Sequence, residues 1–438
     1  MSKLNPVTKH MEFGGITGVL SITFGLPLLL IAFHQLINDD YQTTLFTNFD
    51  LEKILTFKKP LLDICLDAQI WTYYLLWFCG LAVLDVILPG YYKEGVELRD
   101  GSKLTYLING ISISSFLLIV LASRFVTTEG ALPELQFLYS HILEFTVISI
   151  LFSFAFSTFI YLFSFIKLRT PNKLSNDERN EKILAAGGNT GNVIYDWFIG
   201  RELNPRFGPL DVKLFCELRP GMLLWLLLNL SCMHHQWLTL GRVTDSMILL
   251  NVMQSIYIFD GVLNEDGVLT MMDVTTDGFG YMLCFGDLSL VPFSYSVQAR
   301  YLALNEVTLG LPLTLAILVL GVTSFYIFKA SNNEKSAFRQ GEKPHLKYIK
   351  TERGTNLLVD SWWGVSQHPN YLGDWLYSLT WCLSTGFGNP INYYYSLYFG
   401  SLLLHRQQRD EVKCREKYGK DWEKYEKQVP YKIVPYVY

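Results

Sequence analysis

Charge is scarce in this chain. Only 17% of its 438 residues are Asp, Glu, Lys or Arg, well under the quarter usual for a soluble globular protein. The seven cysteines, at 65, 79, 216, 232, 284, 382 and 414, are odd in number, scattered and without a CxxC pair. That argues against a disulfide framework and against a zinc site, and no metal is expected. Neither G-x-G-x-x-G nor a P-loop occurs, so any dinucleotide must be held without a Rossmann unit. Internal repeats and low-complexity linkers are missing. No cleavable signal peptide is expected, because Phe13–Asn38 is too long and lacks a small-residue cleavage site.

Apolar residues fill the space that charge leaves. Half the chain is hydrophobic, 15% is aromatic and the mean hydropathy is +0.22. Runs long enough to cross a ~30 Å hydrocarbon layer recur: Phe13–Asn38, Leu104–Ser123, Phe145–Ile166, Pro220–Gly241, Val307–Phe328 and Gly373–His405. Weaker candidates are Ala68–Leu88, Ser246–Asn264 and Gly278–Ala299, which carry Asp85, Asp260 and Asp287. The last long run exceeds one helix. Gly386, Gly388 and Pro390 within Ser384–Asn392 turn it into a helical hairpin. The expectation is an all-α polytopic membrane protein of about ten transmembrane helices.

Ten spans place both termini on one side. With the amino end cytoplasmic, inside segments carry 30 of the 36 Lys and Arg and outside loops only six, among them Lys53, Arg124 and Arg300. That bias supports cytoplasmic termini.

Three cytoplasm-side stretches carry polar groups that chemistry can use. Gly191–Gly221 mixes Asp196, Arg201, Glu202, Arg206, Asp211, Lys213, Glu217 and Arg219 with bulky aromatics. It reads as an interfacial segment on the headgroups or, given its balanced charge and its Asn-Pro and Gly-Pro turns, as a packed loop. Tyr257–Asp287 holds six acids and no base: Asp260, Glu265, Asp266, Asp273, Asp277 and Asp287. Carboxyls beside apolar segments must face a cavity, pair with distant bases or stay protonated. A buried neutral carboxyl is a proton donor near pH 7. The plainer alternative is helix capping by Asp273 and Asp277, plus ion pairs to the basic loops.

The third stretch begins at His405, where charges of both signs follow an apolar run. On a helix Arg406, Asp410, Lys413 and Lys417 share one face, and Asp410, Cys414, Lys417 and Tyr418 share an overlapping one. Lys335 and Arg339 stand one turn apart at the cytoplasmic end of another span. Basic pairs suit phosphates, and "WWGVSQHPNYLGDW" adds Trp362, Trp363, His368, Asn370 and Tyr371 as stacking and hydrogen-bonding groups. This is a nucleotide site in outline, or a membrane-surface helix touching anionic lipid.

"GNVIYDWFIGRELNPR" at Gly191–Arg206 and "LLHRQQRDEVKCREKYG" at Leu403–Gly419 resemble the two signature segments of the sterol reductase family. That family includes delta-14, delta-7 and delta-24(28) reductases and the membrane domain of the lamin B receptor. The likeness runs from Glu12 to the last residue, and Leu269–Phe293 resembles the delta-14 branch most closely. The resemblance implies a single membrane domain over 1–438. Residues 1–240 would hold the amino-terminal spans and signature loop, and 241–438 the catalytic half. It implies NADPH drawn from the cytosol, a sterol drawn from the bilayer of the endoplasmic reticulum, a place in ergosterol synthesis beside other enzymes of that route, and no nucleic acid. Lys335 and Arg339 would meet the adenosine phosphate end of NADPH. Leu358, Trp363, Asn370, Tyr371, Asp410, Cys414, Arg415, Glu416, Lys417, Tyr418 and Tyr425 would be further cofactor contacts. Tyr257 would line the sterol pocket and act in catalysis with Asp410.

An isolated alkene does not accept hydride directly, so reduction of a 14,15 double bond needs a proton at carbon 15 and hydride at carbon 14. Tyr257 is the expected proton donor, assisted by nearby carboxyls, with Asp410 orienting the nicotinamide or supporting the acid. Reduction at carbon 7 or 24(28) is the nearest alternative. More distant ones are an isoprenylcysteine methyltransferase-like enzyme using S-adenosylmethionine, because "HPNY" and the charged terminal helix resemble that class, and a non-catalytic membrane scaffold.

Overall fold

The computed structural model describes residues 4–37, 56–166 and 182–438; Lys3, Lys53 and the bases between 167 and 181, counted above, lie outside them. Ten helices organise the described chain: α1 Gly15–Leu36, α2 Ala68–Ile87, α3 Gly110–Thr127, α4 Ile142–Phe163, α5 Pro220–Leu240, α6 Asp245–Leu263, α7 Leu311–Arg339, α8 Pro369–Leu383, α9 Tyr394–Tyr418 and α10 Lys420–Gln428. Shorter helical turns connect them. Three two-stranded antiparallel hairpins add β1 Tyr91–Glu97 with β2 Lys103–Ile108, β3 Arg206–Phe207 with β4 Leu210–Asp211, and β5 Tyr348–Lys350 with β6 Asn356–Leu358. Seven helical stretches among the described residues are long and apolar enough to cross a membrane, including those that contain α1 to α7. The all-α, polytopic expectation holds, and seven such stretches are found among the described residues.

Differences from the expected spans have local causes. Leu104–Ser123 is not one span: residues 103–108 form β2, and the helix starts at Gly110. Asp100-Gly101 makes the hairpin turn, with Gly101 at φ 78° and the Asp100 carboxylate accepting from the Ser102 N–H. Alternation in "KLTYLI" then buries Tyr106 and Ile108. Gly278–Ala299 is instead helical from Tyr281 onward, with a π turn at Gly286–Leu290 and a kink at Ser296 before Val297–Leu304. Pro292 cannot donate to the Leu288 carbonyl one turn back, and the Tyr74 hydroxyl approaches that carbonyl at 3.5 Å instead. The hairpin expected at Ser384–Asn392 is present: α8 ends at Leu383, Gly386 takes φ 71° and α9 starts at Tyr394. At 15 residues, α8 rises only about 22 Å, short of a full hydrocarbon layer.

The described chain divides into two compact units, residues 1–242 with 254–304, and residues 243–253 with 305–438. The first unit contains the Gly191–Gly221 loop, and this is a packed, hydrogen-bonded segment. Asp196 accepts from the backbone of Thr190 and Gly191 at 2.9 Å each. Arg206 pairs with Asp211 at 2.9 Å and Lys182 with Glu202 at 2.7 Å. Arg219, 1% exposed, donates to Glu265, to Asp85 at 3.0 Å and to Asn109 at 3.1 Å, while Glu265 accepts the Gly110 N–H at 2.8 Å. A buried guanidinium with such partners is held rather than stranded.

The acids of 257–287 are handled in the same way. Glu265 takes Arg219, and Asp266 takes Lys93 at 3.6 Å. Asp273 stands inside the Met272–Thr275 turn, whose N-cap position is taken by Met271. Lys213 satisfies that turn's backbone, donating to the carbonyls of Asp273 at 2.8 Å and Val274 at 3.3 Å, and also to that of Asp277.

In the second unit α7 and α8 pack closely at a glycine. A Cβ at Gly373 would lie 2.6 Å from the Phe328 nitrogen and 2.8 Å from the Ser324 carbonyl oxygen. Asp245 caps the entry to α7, accepting the Gly310 N–H at 2.8 Å and the Leu309 N–H at 3.2 Å.

Candidate functional site

The second unit gathers polar groups from four separated stretches. α7 continues past its apolar part to Arg339, so Lys335 and Arg339 project from its last two turns. The ammonium of Lys335 lies 3.6 Å from the Trp363 ring centre. Trp363 is 2% exposed, packs with Leu346 and Leu358, and donates its indole N–H to the Ser331 carbonyl at 2.9 Å. Leu358 belongs to β6, whose alternation gives the β5–β6 hairpin two working faces. One puts Leu358 against Trp363; the other puts Ile349 and Leu357 against Trp422, Tyr425 and Val429, with Cys414 and Tyr418 alongside.

Opposite this, α9 runs unbroken from Tyr394 to Tyr418, so the face carrying Arg406, Asp410, Lys413 and Lys417 is real. Asp410, Cys414, Lys335 and Arg339 lie close enough to act on one another electrostatically. Lys417 sits 5.0 Å from the Tyr418 ring centre, and Tyr418 stacks on Trp422 at 6.4 Å. Tyr425 is buried against Trp422 at 4.8 Å. Arg415 faces another way, pairing with Glu411 and Glu426 at 2.8 Å each, and Glu416 is exposed.

The fourth stretch is the loop into α8. His368 stacks on Tyr371 at 4.6 Å and 14°, and its Nε2 is 3.9 Å from an Asp410 carboxylate oxygen. Burial above all, then Lys335 and Lys432 against an opposing Glu411, pushes the His368 imidazole down to about 3. It is a neutral ring at physiological pH. Burial, followed by Asp410, pushes the Cys414 thiol up to about 12 against the pull of Lys335, Lys417 and Arg339. Asn370 donates to Asn332 at 3.1 Å. Three buried polar atoms, Ser366 Oγ and Gln367 Oε1 in this loop and Asn370 Oδ1 in the first turn of α8, have no hydrogen-bond partner among the described residues.

Of the residues singled out from sequence, Lys335, Arg339, Leu358, Trp363, Asn370, Tyr371, Asp410, Cys414, Tyr418 and Tyr425 therefore converge in one unit. Tyr257 belongs to the other unit: its ring lies 6.4 Å from Trp225 on α5, beside Gln254, which accepts from Trp225 at 3.1 Å and Asn229 at 2.6 Å. Sequence reasoning missed Asn332 and Glu334. The spacing from Lys335 could have pointed to Asn332, one turn earlier on the same face. Glu334 accepts the Trp362 N–H at 3.3 Å and lies 3.8 Å from Lys343.

A phosphorylated dinucleotide needs cations for its phosphates, flat surfaces for its rings and hydrogen-bonding groups for its amide and sugars. The paired cations, the Tyr371 and Tyr418 rings and the three unsatisfied buried polar atoms fit such a group.

Fold and site together define a polytopic helical membrane protein with a composite cluster of cations and aromatic rings. The family model described as the Ergosterol biosynthesis ERG4/ERG24 family matches residues 7–438. The Delta(14)-sterol reductase ERG24 of Saccharomyces cerevisiae is 58% identical over 439 residues, covering 100% of both chains. That of Candida albicans is 57% identical over 449 residues, covering 100% of this chain and 99% of its own. The Delta(14)-sterol reductase LBR of Gallus gallus is 39% identical over 435 residues, covering 97% of this chain and 64% of its own. The chain belongs to the ergosterol biosynthesis ERG4/ERG24 family, as its two signature segments led one to expect.

Proposed function

We propose that this chain is an NADPH-dependent delta-14 sterol reductase of ergosterol synthesis, working in the endoplasmic reticulum membrane with both termini in the cytosol. Relatives matched over their full length at 57–58% identity carry the delta-14 reductase name. The observation that carries the cofactor reading is geometric: Lys335 on α7 seats on Trp363 at 3.6 Å, and His368, at the entry to α8, stands 3.9 Å from Asp410 on α9, so groups far apart in sequence gather in one unit.

NADPH, when bound, supplies a hydride. The chain's own residues supply the rest. Lys335 and Arg339 hold phosphate charge. Tyr371 and Tyr418 offer ring faces, the buried Trp363 seats Lys335, Asn370 offers an amide, and Tyr425 and Leu358 fix the walls. Cys414 and Lys417 complete the α9 contribution, while Arg415 turns to Glu411 and Glu426 and the exposed Glu416 stays outside it. Tyr257 is assigned the proton that adds to carbon 15 of the sterol, leaving positive charge at carbon 14 for the hydride to quench. A free tyrosine has a pKa of ~10, so neighbouring carboxyls must assist it. Asp410 is assigned to orienting the reactive ring or supporting the acid.

The test is an NADPH-dependent reduction assay on isolated membranes, with delta-14, delta-7 and delta-24(28) sterols offered in parallel. Loss of the 14,15 double bond alone is expected. Reduction at another position, or none with NADPH present, overturns the assignment.

A further inference from the structure

The segment after α10 is tied to the polar cluster through both its main chain and one side chain. Gln367 donates its N–H to the Tyr431 carbonyl at 2.8 Å, and His368 donates its N–H to the Lys432 carbonyl at 2.9 Å. The Gln367 amide donates to the Val429 carbonyl at 2.8 Å. The Lys432 side chain bridges two helices, with its ammonium 2.6 Å from Glu426 on α10 and 3.2 Å from Glu411 on α9. Arg415 closes the square, 2.8 Å from each of the same two carboxylates. Glu411 also accepts from Gln407 at 2.8 Å, and Gln407 accepts the Tyr438 hydroxyl at 3.1 Å.

Lys432 thus grips both sides of the cluster. Its carbonyl holds His368, which stacks on Tyr371 and stands 3.9 Å from Asp410. Its ammonium holds Glu411, the chain neighbour of Asp410. Without that ammonium, Glu411 and Glu426 share a single cation, and their repulsion acts on the α9–α10 spacing.

We propose that Lys432 is a positioning residue for the dinucleotide site: through His368 and Glu411 it sets the separation between the Asn370–Tyr371 end of α8 and Asp410 on α9. The proposal rests on reading that cluster as the NADPH site. Supporting shells of this kind change affinity and alignment without touching the ligand.

The experiment uses full-length protein in detergent or nanodiscs, with Lys432→Ala, Lys432→Arg and Glu426→Gln. Amide hydrogen exchange without ligand should rise over residues 366–371 in Lys432→Ala and stay near wild type in Lys432→Arg. The NADPH Kd and KM should rise about tenfold in Lys432→Ala, with kcat changed far less, and Lys432→Arg should restore both. Glu426→Gln, which keeps the lysine and removes one partner, should give a smaller shift in the same direction, and it decides the matter if Lys432→Ala does not fold. Unchanged exchange and unchanged affinity in Lys432→Ala or Glu426→Gln overturn the proposal. So does an equal loss in Lys432→Arg. Failure of the wild-type protein to bind NADPH sinks the site assignment and this role with it, and is told apart because the wild type alone reveals it.

Discussion

Lys335 rests on Trp363, its ammonium 3.6 Å from the ring centre, and Trp363 is itself pinned by Leu346, Leu358 and the Ser331 carbonyl. A flexible cation is thereby pre-set beside Arg339, at a point where a lone lysine would otherwise wander. Cation–π contacts of this kind contribute about 1–2 kcal/mol when desolvated.

Removing charge at this pair should therefore show up as phosphate recognition. Lys335→Gln and Arg339→Gln are expected to raise the KM for NADPH about tenfold each, with a much smaller effect on NADH. Steady-state kinetics with both cofactors checks this; an equal loss for the two would move the pair away from the extra phosphate.

The assignment of Tyr257 and Asp410 predicts that Tyr257→Phe and Asp410→Asn abolish turnover while the protein stays folded. A sterol-like amine, positively charged where the cation would form, should bind at least a hundredfold tighter than substrate. Competition binding on purified protein measures it. Substrate-like affinity would count against a cationic route.

His368 should leave a pH signature on stability. Its folded value is about 3 against 6.5 for the free side chain, so between those values the unfolded chain binds the extra proton. Stability from this group is complete above pH 6.5 and is lost as pH falls toward 3. The difference in thermal stability between wild type and His368→Asn should accordingly shrink over that window. A constant difference would mean that the imidazole is not held neutral.

The Cys414 thiol, pushed up to about 12, should be nearly inert to iodoacetamide between pH 7 and 9, since the thiolate is the nucleophile. Mass-spectrometric alkylation rates measure it. A rate typical of a free thiol, with a pKa near ~8.5, would mean that the cluster is open to solvent.

The buried Arg219–Glu265 pair predicts a stability effect with no bearing on cofactor affinity. Glu265→Ala removes the acceptor of the Gly110 N–H and one of the two carboxylates that Arg219 meets, leaving Asp85, at a cost of about 1–3 kcal/mol. Lower thermal stability, read by fluorescence-detected size exclusion, is the expected result.

Local signals were legible in the sequence where one helix or turn carried them. The charged face of α9 followed from spacing alone, because that helix is unbroken from Tyr394 to Tyr418. The turn at Ser384–Asn392 followed from Gly386, Gly388 and Pro390. Apolarity misled at residues 104–108, where the Asp100-Gly101 turn and an alternating pattern make a strand of what hydropathy reads as the start of a span. The two faces of the β5–β6 hairpin and the Glu411–Arg415–Glu426–Lys432 square depend on tertiary pairing between distant segments. No local pattern encodes that. The acids between 260 and 287 were legible as costly, but not the solution found for Glu265, whose partner Arg219 lies 46 residues away.

The continuity of α9 also bears on how the membrane speaks to the enzyme. Its 25 residues form one rod of about 37 Å, apolar at one end and bearing Asp410 near the other. A straight rod acts as a lever. Thinning or thickening the lipid around the Tyr395–Phe399 end tilts the whole of it, and a tilt of about 10° carries Asp410 sideways by some 3 Å. Catalytic rate in this protein should then depend on acyl-chain length, even with cofactor and sterol saturating.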